Sequence, residues 1–245
     1  MRSSSEKPAV ANRASARTRK KILDASIELF NTQGIQNVST EKIAMQIGIS
    51  PGNLTYHFKR KSDLVREILV LLEDQMRPVL YAPREAKKPQ YGAEYLIDIL
   101  HTFWRFRFFF NALTYLLSRD KALREEYFRF QDWALATLDS GLMELMKSGD
   151  FRAIRAPNNT RLLAENVWYQ WLSWLRIQQI KSPMADIPEG EALYECAMHH
   201  WSLLEPYFTE SFADELLPLY RKRLLPKKPA KTQSAASTVS AKRIQ

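Results

Sequence analysis

The chain of 245 residues is long enough for one or two domains, and its 45% hydrophobic residues, which include 12 Phe and 6 Trp, can form a sizeable core. A single cysteine, Cys196, excludes an intramolecular disulfide and fits a reducing compartment. The N-terminus has no apolar signal region, and no stretch approaches about 18 uncharged apolar residues. We therefore expect no secretion, no membrane span and a cytoplasmic location.

The net charge of +9 is concentrated at the two ends of the chain. Residues 1–21 carry +6 and residues 226–245 carry +5, which leaves residues 22–225 at −2. We predict that residues 1–15 and 226–245 are disordered basic arms. Such an arm attracts nucleic-acid phosphates when it lies beside a suitable surface. The alternative is a solubilising tail, which the Ser, Ala, Lys and Pro content favours for the C-terminal arm.

Helical spacing dominates the sequence. The chain contains 7 glycines and no sustained Val/Ile/Thr alternation, so the predicted fold class is all-α. The first predicted helix ends at Gly34. Its inward face consists of Ile22, Ser26, Leu29 and Phe30.

Two short helices with a glycine between them follow. The inward residues of the first are Ile43, Ala44 and Ile47. Ser50 and Pro51 are an N-cap and first-turn pair that opens the second, whose Leu54 and Phe58 face inward. Helices that cross steeply need a tight turn, and Gly48 can adopt the positive φ that this turn requires. This arrangement is a helix-turn-helix.

The predicted organisation is a three-helix head, residues 16–62, followed by a helical body, residues 63–225. The first body helix begins at Ser62-Asp63 and is expected to stop at Pro78, and residues 82–90 are predicted to be a loop. Further helices are predicted near 91–107, 109–118, 121–148, 158–181, 188–206 and 210–224.

Burial of the apolar residues of the helix-turn-helix leaves a polar edge on its second helix. This edge consists of Gly52, Asn53, Thr55, Tyr56 and His57. The hydroxyls of Thr40 and Ser50 can bind phosphates, and the Asn53 amide can donate and accept at a base edge. Tyr56 offers a hydroxyl at phosphate distance, and a basic run, Lys59 to Lys61, follows. The edge predicts contact with duplex DNA, although His57 could equally be a packing or capping residue.

Residues 17–76 resemble the N-terminal domain of the TetR family of bacterial regulators. The matching positions are Arg17 to Ala25, Leu29-Phe30, Gly34, Ser39-Thr40, Ile43-Ala44, Gly48 to Leu54, Tyr56 to Phe58, and Lys61. The resemblance implies a homodimer whose two reading helices enter successive major grooves of a palindromic operator. It carries the DNA contacts of the family over to Thr40, Ser50, Gly52, Asn53, Tyr56, His57 and Lys61.

Two further residues join this predicted DNA-binding set. Arg17 begins the matching stretch and belongs to the basic N-terminal segment. Thr55 stands where the family usually has an aromatic residue that contacts phosphate, so its hydroxyl has a shorter reach. Two members of such a family could therefore share a fold and yet read different operators.

The body is rich in aromatic residues, most densely from Phe103 to Phe110. Large rings can line an apolar cavity, and Arg105 or Arg107 could pair with a ligand carboxylate at its mouth. The predicted lining of a pocket for an apolar or amphipathic effector is Phe103, Trp104, Arg107, Phe110, Tyr115, Trp133, Trp168 and Trp171. The alternative is that these rings form only core and dimer contacts.

The helices near 158–181 and 188–206 are the predicted dimer surface. The first is apolar around much of its circumference and needs cover on two sides. The second offers Leu193, Ala197, His200, Trp201 and Leu204. In the family that the head resembles, the last long helix pair forms a four-helix bundle between subunits.

The sequence predicts neither a cofactor, a metal nor an enzyme. Cys196, His199 and His200 lie at helical spacing but lack a fourth ligand, and no nucleophile–base set or phosphate loop stands out. The resemblance implies a regulator, most often a repressor, in which a ligand tilts the helix near 63–77 and moves the heads apart. The alternatives are a ligand-independent regulator or activator and a DNA-binding protein without sequence specificity.

Overall fold

The computed structural model describes residues 6–81, 89–181 and 189–224, and in these ranges the chain forms eleven α-helices. The first four are α1 (Glu6–Gln33), α2 (Thr40–Gln46), α3 (Pro51–His57) and α4 (Lys61–Leu80). The others are α5 (Pro89–Arg105), α6 (Arg107–Asn111), α7 (Leu113–Arg119), α8 (Lys121–Ser148), α9 (Thr160–Lys181), α10 (Glu189–Leu204) and α11 (Glu210–Leu224). The described residues contain no strand and one isolated bridge, between Phe151 and Phe208. The all-α prediction is confirmed.

The head has a continuous core formed by α1, α2, α3 and the start of α4. The predicted inward face of α1, consisting of Ile22, Ser26, Leu29 and Phe30, is buried. The Ser26 hydroxyl donates to the carbonyl of Ile22 at 2.6 Å, which satisfies a polar group inside this core. Ile43, Ala44, Leu54 and Phe58 are buried as expected, whereas Ile47 is half-buried.

The body is built around two packed helix groups. Its longest helices, α8 and α9, pack side by side, and α5 packs against α4, α10 and α11. The last helix, α11, buries Phe212, Leu216, Tyr220 and Leu224. An ion pair of 2.7 Å between Arg223 and Glu94 also joins α11 to α5. The helix α4 therefore runs from the head core directly into the packed body.

The N-terminal arm is shorter than the sequence predicted, because α1 begins at Glu6 and residues 6–15 are helical. The segment contains several alanines, the best helix formers, and has no stop signal before Gln33. Its one proline, Pro8, lies in the first turn, where a missing N–H costs no intrahelical bond. Residues 1–5 lie outside the described residues.

Two other helix boundaries differ from the prediction. Pro78 lies inside the last turn of α4 rather than ending it, and the burial of Leu80 and the bond from the Tyr81 N–H to the Arg77 carbonyl (3.0 Å) hold that turn. The predicted helix at 109–118 is two helices, α6 and α7. The rings of Phe106, Phe108, Phe109 and Phe110 are all buried. Phe108, Phe109 and Phe110 lie on α6 itself, where successive side chains point about 100° apart, so their rings contact different neighbours: Phe30, Tyr127 and Phe103 respectively.

Parts of two predicted segments lie outside the described residues. They are residues 82–88 of the loop predicted at 82–90 and the whole C-terminal arm, 226–245. The last two residues of that loop, 89–90, belong to the first turn of α5.

Candidate nucleic-acid interface

The α2–turn–α3 unit is fixed by backbone geometry and two serine caps. Ser39 caps α2 by accepting the Lys42 N–H, and Ser50 caps α3 by accepting the Asn53 N–H at 3.2 Å. Between them Gly48 adopts a φ of 69°, in the left-handed region. The N–H groups of Gly48 and Ile49 bond to the carbonyls of Met45 (3.2 Å) and Ala44 (3.0 Å), which closes the end of α2. The turn holds α3 at a fixed angle to α2.

The outward edge of α3 is exposed as the sequence predicted, except at His57, which is half-buried. Leu54 is fully buried, whereas Gly52, Asn53, Thr55 and Tyr56 are exposed. Tyr56 leaves 81% of its surface in solvent, which is unusual for so large a ring. A Cβ on Gly52 would meet nothing closer than the Ser50 hydroxyl at 4.0 Å, so the interior of the protein does not require glycine there.

The other predicted contact residues lie around this edge. Arg17 is exposed on α1, and the His57 ring is half-buried with its centroid 5.3 Å from that of Tyr56. The hydroxyl of Thr55 donates to the Pro51 carbonyl (3.0 Å), and that of Thr40 donates to the carboxylate of Glu41 (3.3 Å). Both hydroxyl oxygens keep lone pairs, but their protons are engaged within the chain.

Lys61 has a structural task that the sequence did not indicate. Its ammonium donates to the carbonyls of Ile35 and Val38, the latter at 2.6 Å, and it lies 5.5 Å from the centre of the Phe30 ring. Burial lowers the pKa of Lys61. An ammonium has three N–H groups, so one remains for a phosphate.

A cleft of about 400 Å³ lies beside the edge of α3. Its polar lining includes Ser39, Thr40, Thr55, Lys59, Arg60 and Lys61. Three consecutive basic residues form one wall; Arg60 is paired with Asp63 at 3.2 Å, and the charge of the other two suits the backbone of a nucleic acid. The cleft and the edge together form one continuous polar surface on the head.

Arg19 ties the reading helix to the rest of the head, a role that sequence reasoning missed. Its guanidinium donates to the carbonyl of His57 at 3.1 Å, pairs with Glu67 at 2.9 Å and lies 4.3 Å from the centre of the Phe58 ring. In the sequence, Arg19 stands out only as one of the basic residues of the N-terminal segment. Its partners lie far along the chain, so no local signal distinguishes it from the neighbouring cations.

Four of the predicted pocket rings pack directly on one another. The Phe103 ring centroid lies 4.5 Å from Phe110, 5.4 Å from Trp168 and 5.3 Å from Trp171. All four residues are buried. We call them the ring cluster; its members fill the space between α5, α6 and α9.

The other predicted pocket residues lie outside the ring cluster. Trp133 and Tyr115 are half-buried, and each is covered by a cation, Arg77 at 4.4 Å and Arg119 at 4.6 Å respectively. Trp104 and Arg107 line a second groove, of about 450 Å³, between α1 and the body. The structure therefore does not gather the eight residues into one pocket.

Besides the ion pair between Asp24 and Arg105 (2.8 Å), polar links join the head to the body at two places, and no signal in the sequence indicates these pairings. The Asn31 amide of α1 donates to the Arg105 carbonyl (2.7 Å) and accepts the Phe108 N–H (2.9 Å). Farther along, Arg66 of α4 makes two bonds of 2.9 Å to the carboxylate of Asp120. Asp120 also caps α8, so this second link joins α4 to the start of the longest body helix.

The predicted dimer helices differ in what they expose. On α9, an outward stripe carries the exposed apolar residues Leu162, Tyr169, Ile177 and Ile180. On α10, four of the five predicted dimer residues, Leu193, Ala197, His200 and Leu204, are instead buried in the core of the chain itself. Trp201, the fifth, is half-buried. The correction follows from α5, α9 and α11, which pack on α10 and cover that face.

Two classes of feature are not found in the part of the chain that the structure describes. No group of three or more His, Cys, Asp or Glu side chains is arranged to hold a metal ion. No helix has both the length and the apolar character that crossing a membrane requires.

Sequence profiles of known families match most of the chain. A profile described as "Bacterial regulatory proteins, tetR family" matches residues 22–68, and one described as "Bacterial transcriptional repressor" matches residues 71–216. The first covers the helix-turn-helix and the second covers most of the body.

Individual relatives agree with these profiles. The HTH-type transcriptional regulator AcrR of Shigella flexneri is 42% identical over 59 residues, and that match spans 24% of this chain and 27% of its own length. A crystal structure of a TetR-family transcriptional regulator from Marinobacter aquaeolei is 31% identical, with a TM-score of 0.72, over 84% of this chain and 98% of the other. The TetR-family regulator PfmR of Thermus thermophilus shares the fold. It is 20% identical, with a TM-score of 0.58, over 75% of this chain and 97% of the other.

Proposed function

Since this chain belongs to the TetR family of bacterial transcriptional regulators, whose members are not enzymes, we propose that it represses transcription by binding a palindromic operator as a homodimer. We further propose that a small apolar or amphipathic molecule releases it. The observation that carries the proposal is the edge of α3, which exposes Asn53 and Tyr56 while Leu54 is fully buried.

The chemistry of the edge supports sequence-specific binding. An exposed Asn amide can donate and accept at the same base, which reads sequence, whereas a Tyr hydroxyl and the cations beside it bind phosphates of any sequence. The basic wall of the adjoining cleft, Lys59 to Lys61, provides such cations. The head therefore carries both kinds of contact that an operator-binding protein needs.

The apolar stripe of α9 supports the dimer. Tyr169, Ile177 and Ile180 are exposed at helical spacing on one face of a helix whose opposite face is packed in the core. A second copy of the same helix would cover this stripe in a two-fold arrangement. Two linked heads would then meet two half-sites about one helical turn of DNA apart.

Operator binding is tested first by selecting sequences from a random duplex library with the full chain, and then by titrating the selected duplex. Asn53→Ala is expected to weaken binding to the selected duplex by about 5- to 150-fold, because a specific base contact contributes about 1–3 kcal/mol. Tyr56→Phe should weaken binding to selected and unrelated duplexes alike, because it removes a phosphate contact.

Val70→Ala is the matched control, since Val70 is an exposed residue of α4 away from the edge of α3. The affinity of Val70→Ala for the selected duplex should equal that of the parent chain. Selection that yields no consensus, or unrelated duplex that competes equally well, would favour a DNA-binding protein without sequence specificity and refute the operator proposal.

A ligand-independent regulator of the same fold is the second candidate, and the ring cluster favours it. Phe103, Phe110, Trp168 and Trp171 fill the space in which the sequence predicted an effector, and the Phe103 ring centroid lies within 5.4 Å of the other three. An effector in the body would have to enter elsewhere or displace these rings. Mass spectrometry of the protein as purified from cells, under native conditions, tests for a retained small molecule.

A further inference from the structure

The groove between the head and the body is separate from the edge of α3 and from the ring cluster. Its volume is about 450 Å³, within the range of small-molecule sites. From α1 it is lined by Asp24, Ile27, Glu28, Asn31 and Thr32, and from the body by Trp104, Arg105, Arg107 and Glu189.

Most polar groups of this groove already have partners. Asp24 pairs with Arg105 at 2.8 Å, and the carboxyl group of Glu189 shares a hydrogen bond of 2.7 Å with Nδ1 of His101. Both ends of the Asn31 amide are bonded to the backbone of the body. These groups hold the walls of the groove together, and a ligand could bind them only by breaking their existing hydrogen bonds or ion pairs.

Arg107 differs from them. Its guanidinium lies 4.6 Å from the centre of the Trp104 ring and donates one bond, of 2.9 Å, to the Trp104 carbonyl. No ion pair joins it to a carboxylate among the described side chains, and Glu189 acts on it only at longer range. Burial lowers the pKa of Arg107, but an arginine stays protonated at any working pH. A half-buried cation is thus left with unused N–H groups.

We propose that this groove binds a small monocarboxylate through Arg107. The stacked face of the guanidinium is occupied by Trp104, so its edge is the part left for a ligand, and an edge with two parallel N–H groups suits a carboxylate. The apolar part of the ligand lies against Trp104 and Ile27. Glu28 and Glu189 in the same groove oppose a second negative charge, which restricts the ligand to one carboxylate.

Because the site lies between the head and the body, a ligand bound there could regulate DNA binding. This part of the inference rests on the proposed function. One wall belongs to α1 of the head and the other to α5, α6 and α10 of the body. A bound molecule contacts both walls and therefore binds best at one angle between them. The effector of the repressor would act at this junction and would not need to enter the ring cluster.

The test uses benzoate as the anionic probe and benzylamine as its cationic counterpart, each titrated into the full chain. The readout is the indole N–H resonance of Trp104, identified by its loss in Trp104→Phe. Benzoate should shift this resonance in a saturable way, and benzylamine should not. Arg107→Gln should weaken benzoate binding by at least about tenfold, because it removes a charge-assisted pair.

Arg119→Gln is the matched control. Arg119 is also stacked on a ring, that of Tyr115 at 4.6 Å, and has no ion pair among the described side chains, but it does not line the groove. This variant should bind benzoate as the parent chain does. Absence of a saturable shift, equal binding of benzylamine, or undiminished binding by Arg107→Gln would overturn the proposal.

Operator binding, measured without a probe on the same proteins, separates this proposal from the proposed function. If the parent chain and Arg107→Gln both bind the selected duplex while benzoate leaves Trp104 unchanged, the groove proposal fails and the regulator stands. If benzoate binds as expected but no duplex is selected, the groove proposal survives and the proposed function fails.

Discussion

Gly48 and Gly52 lie four residues apart in the helix-turn-helix but are glycine for different reasons. Gly48 has a positive φ of 69°, and a Cβ there would meet no atom within 4 Å. Gly52 has ordinary helical geometry and an exposed surface. The first glycine is therefore required by the fold, and we expect the second to be required by the DNA.

Gly48→Ala should lower the free energy of unfolding by about 1 kcal/mol, because only backbone strain is added and no atom clashes. Gly52→Ala should leave stability unchanged or raise it by up to about 1 kcal/mol, because alanine is the better helix former, while operator binding weakens. Urea unfolding and duplex titration of both variants measure the two effects. Equal loss of stability in the two variants would contradict this assignment.

His200 gives a residue-scale pH dependence. It is buried against Trp171, with ring centroids 5.6 Å apart, and burial lowers the pKa of His200 to about 4. The unfolded chain takes up this proton near pH 6.5 and the folded chain does so only near pH 4, so stability falls as the pH drops between these values. At pH 5 the free energy of unfolding is lower by about 2 kcal/mol because of His200.

In His200→Phe this contribution is absent, so the difference in unfolding free energy between pH 7 and pH 5 should be smaller by about 2 kcal/mol. Urea unfolding at both pH values measures it. The neighbouring His199 is exposed, and His199→Gln serves as the control that keeps the full dependence. An unchanged pH dependence in His200→Phe would show that this histidine is not held neutral by the fold.

At the scale of the elements, α4 is the piece that joins head and body. It contributes Leu64, Val65 and Ile68 to the buried core near the head and Leu72, Met76 and Leu80 farther along. The bidentate pair between Arg66 and Asp120 fixes α4 to the start of α8. A movement of α4 relative to the body must either break this ion pair or move the start of α8 together with α4.

The two tasks of Asp120 can be separated by substitution. Asp120→Asn keeps an oxygen for the Leu123 N–H (3.1 Å) but loses the charge pair, so it should cost about 0.5–1 kcal/mol, as should Arg66→Gln. Asp120→Ala loses the cap as well and should cost about 2 kcal/mol. Chemical denaturation of the three variants measures these costs, and equal losses for Asn and Ala would mean that the cap contributes nothing.

At the scale of the whole molecule, the described surface includes a helix, α9, that is buried on one side and carries an apolar stripe on the other. Such a stripe is costly to leave in water and is typical of an interface. The same helix contributes Trp168 and Trp171 to the ring cluster. A subunit contact on α9 would therefore be coupled directly to the packing of the body core.

Tyr169→Glu and Ile177→Glu should each convert the dimer to a monomer, because a carboxylate buried between two copies would lack a partner. Analytical ultracentrifugation measures the change, and circular dichroism checks that the helices remain. Phe128→Glu on α8 is the matched control, because Phe128 is also an exposed ring but lies outside the stripe. A dimer that survives both α9 substitutions would place the interface elsewhere.

The sequence by itself determined the elements that depend on local chemistry. Helix periodicity, the Ser50-Pro51 start and the glycine at position 48 are properties of short segments, so the all-α fold and the exposed edge of α3 could be predicted from them. The head also resembled its family closely enough to be identified. Local signals even located the two ends of α8, residues 121 and 148.

Only the tertiary structure decided which distant groups meet. Lys61 is a predicted DNA-binding cation and Arg19 one of the basic residues of the N-terminal segment, but carbonyls brought by other elements engage both, and Arg19 also pairs with Glu67. Of the predicted pocket rings, four form the packed cluster, Trp104 lines the groove, and Tyr115 and Trp133 lie in neither, because helical spacing gives the direction of a side chain and not its neighbour. Long-range partners depend on how helices pack, and packing is a property of the whole chain.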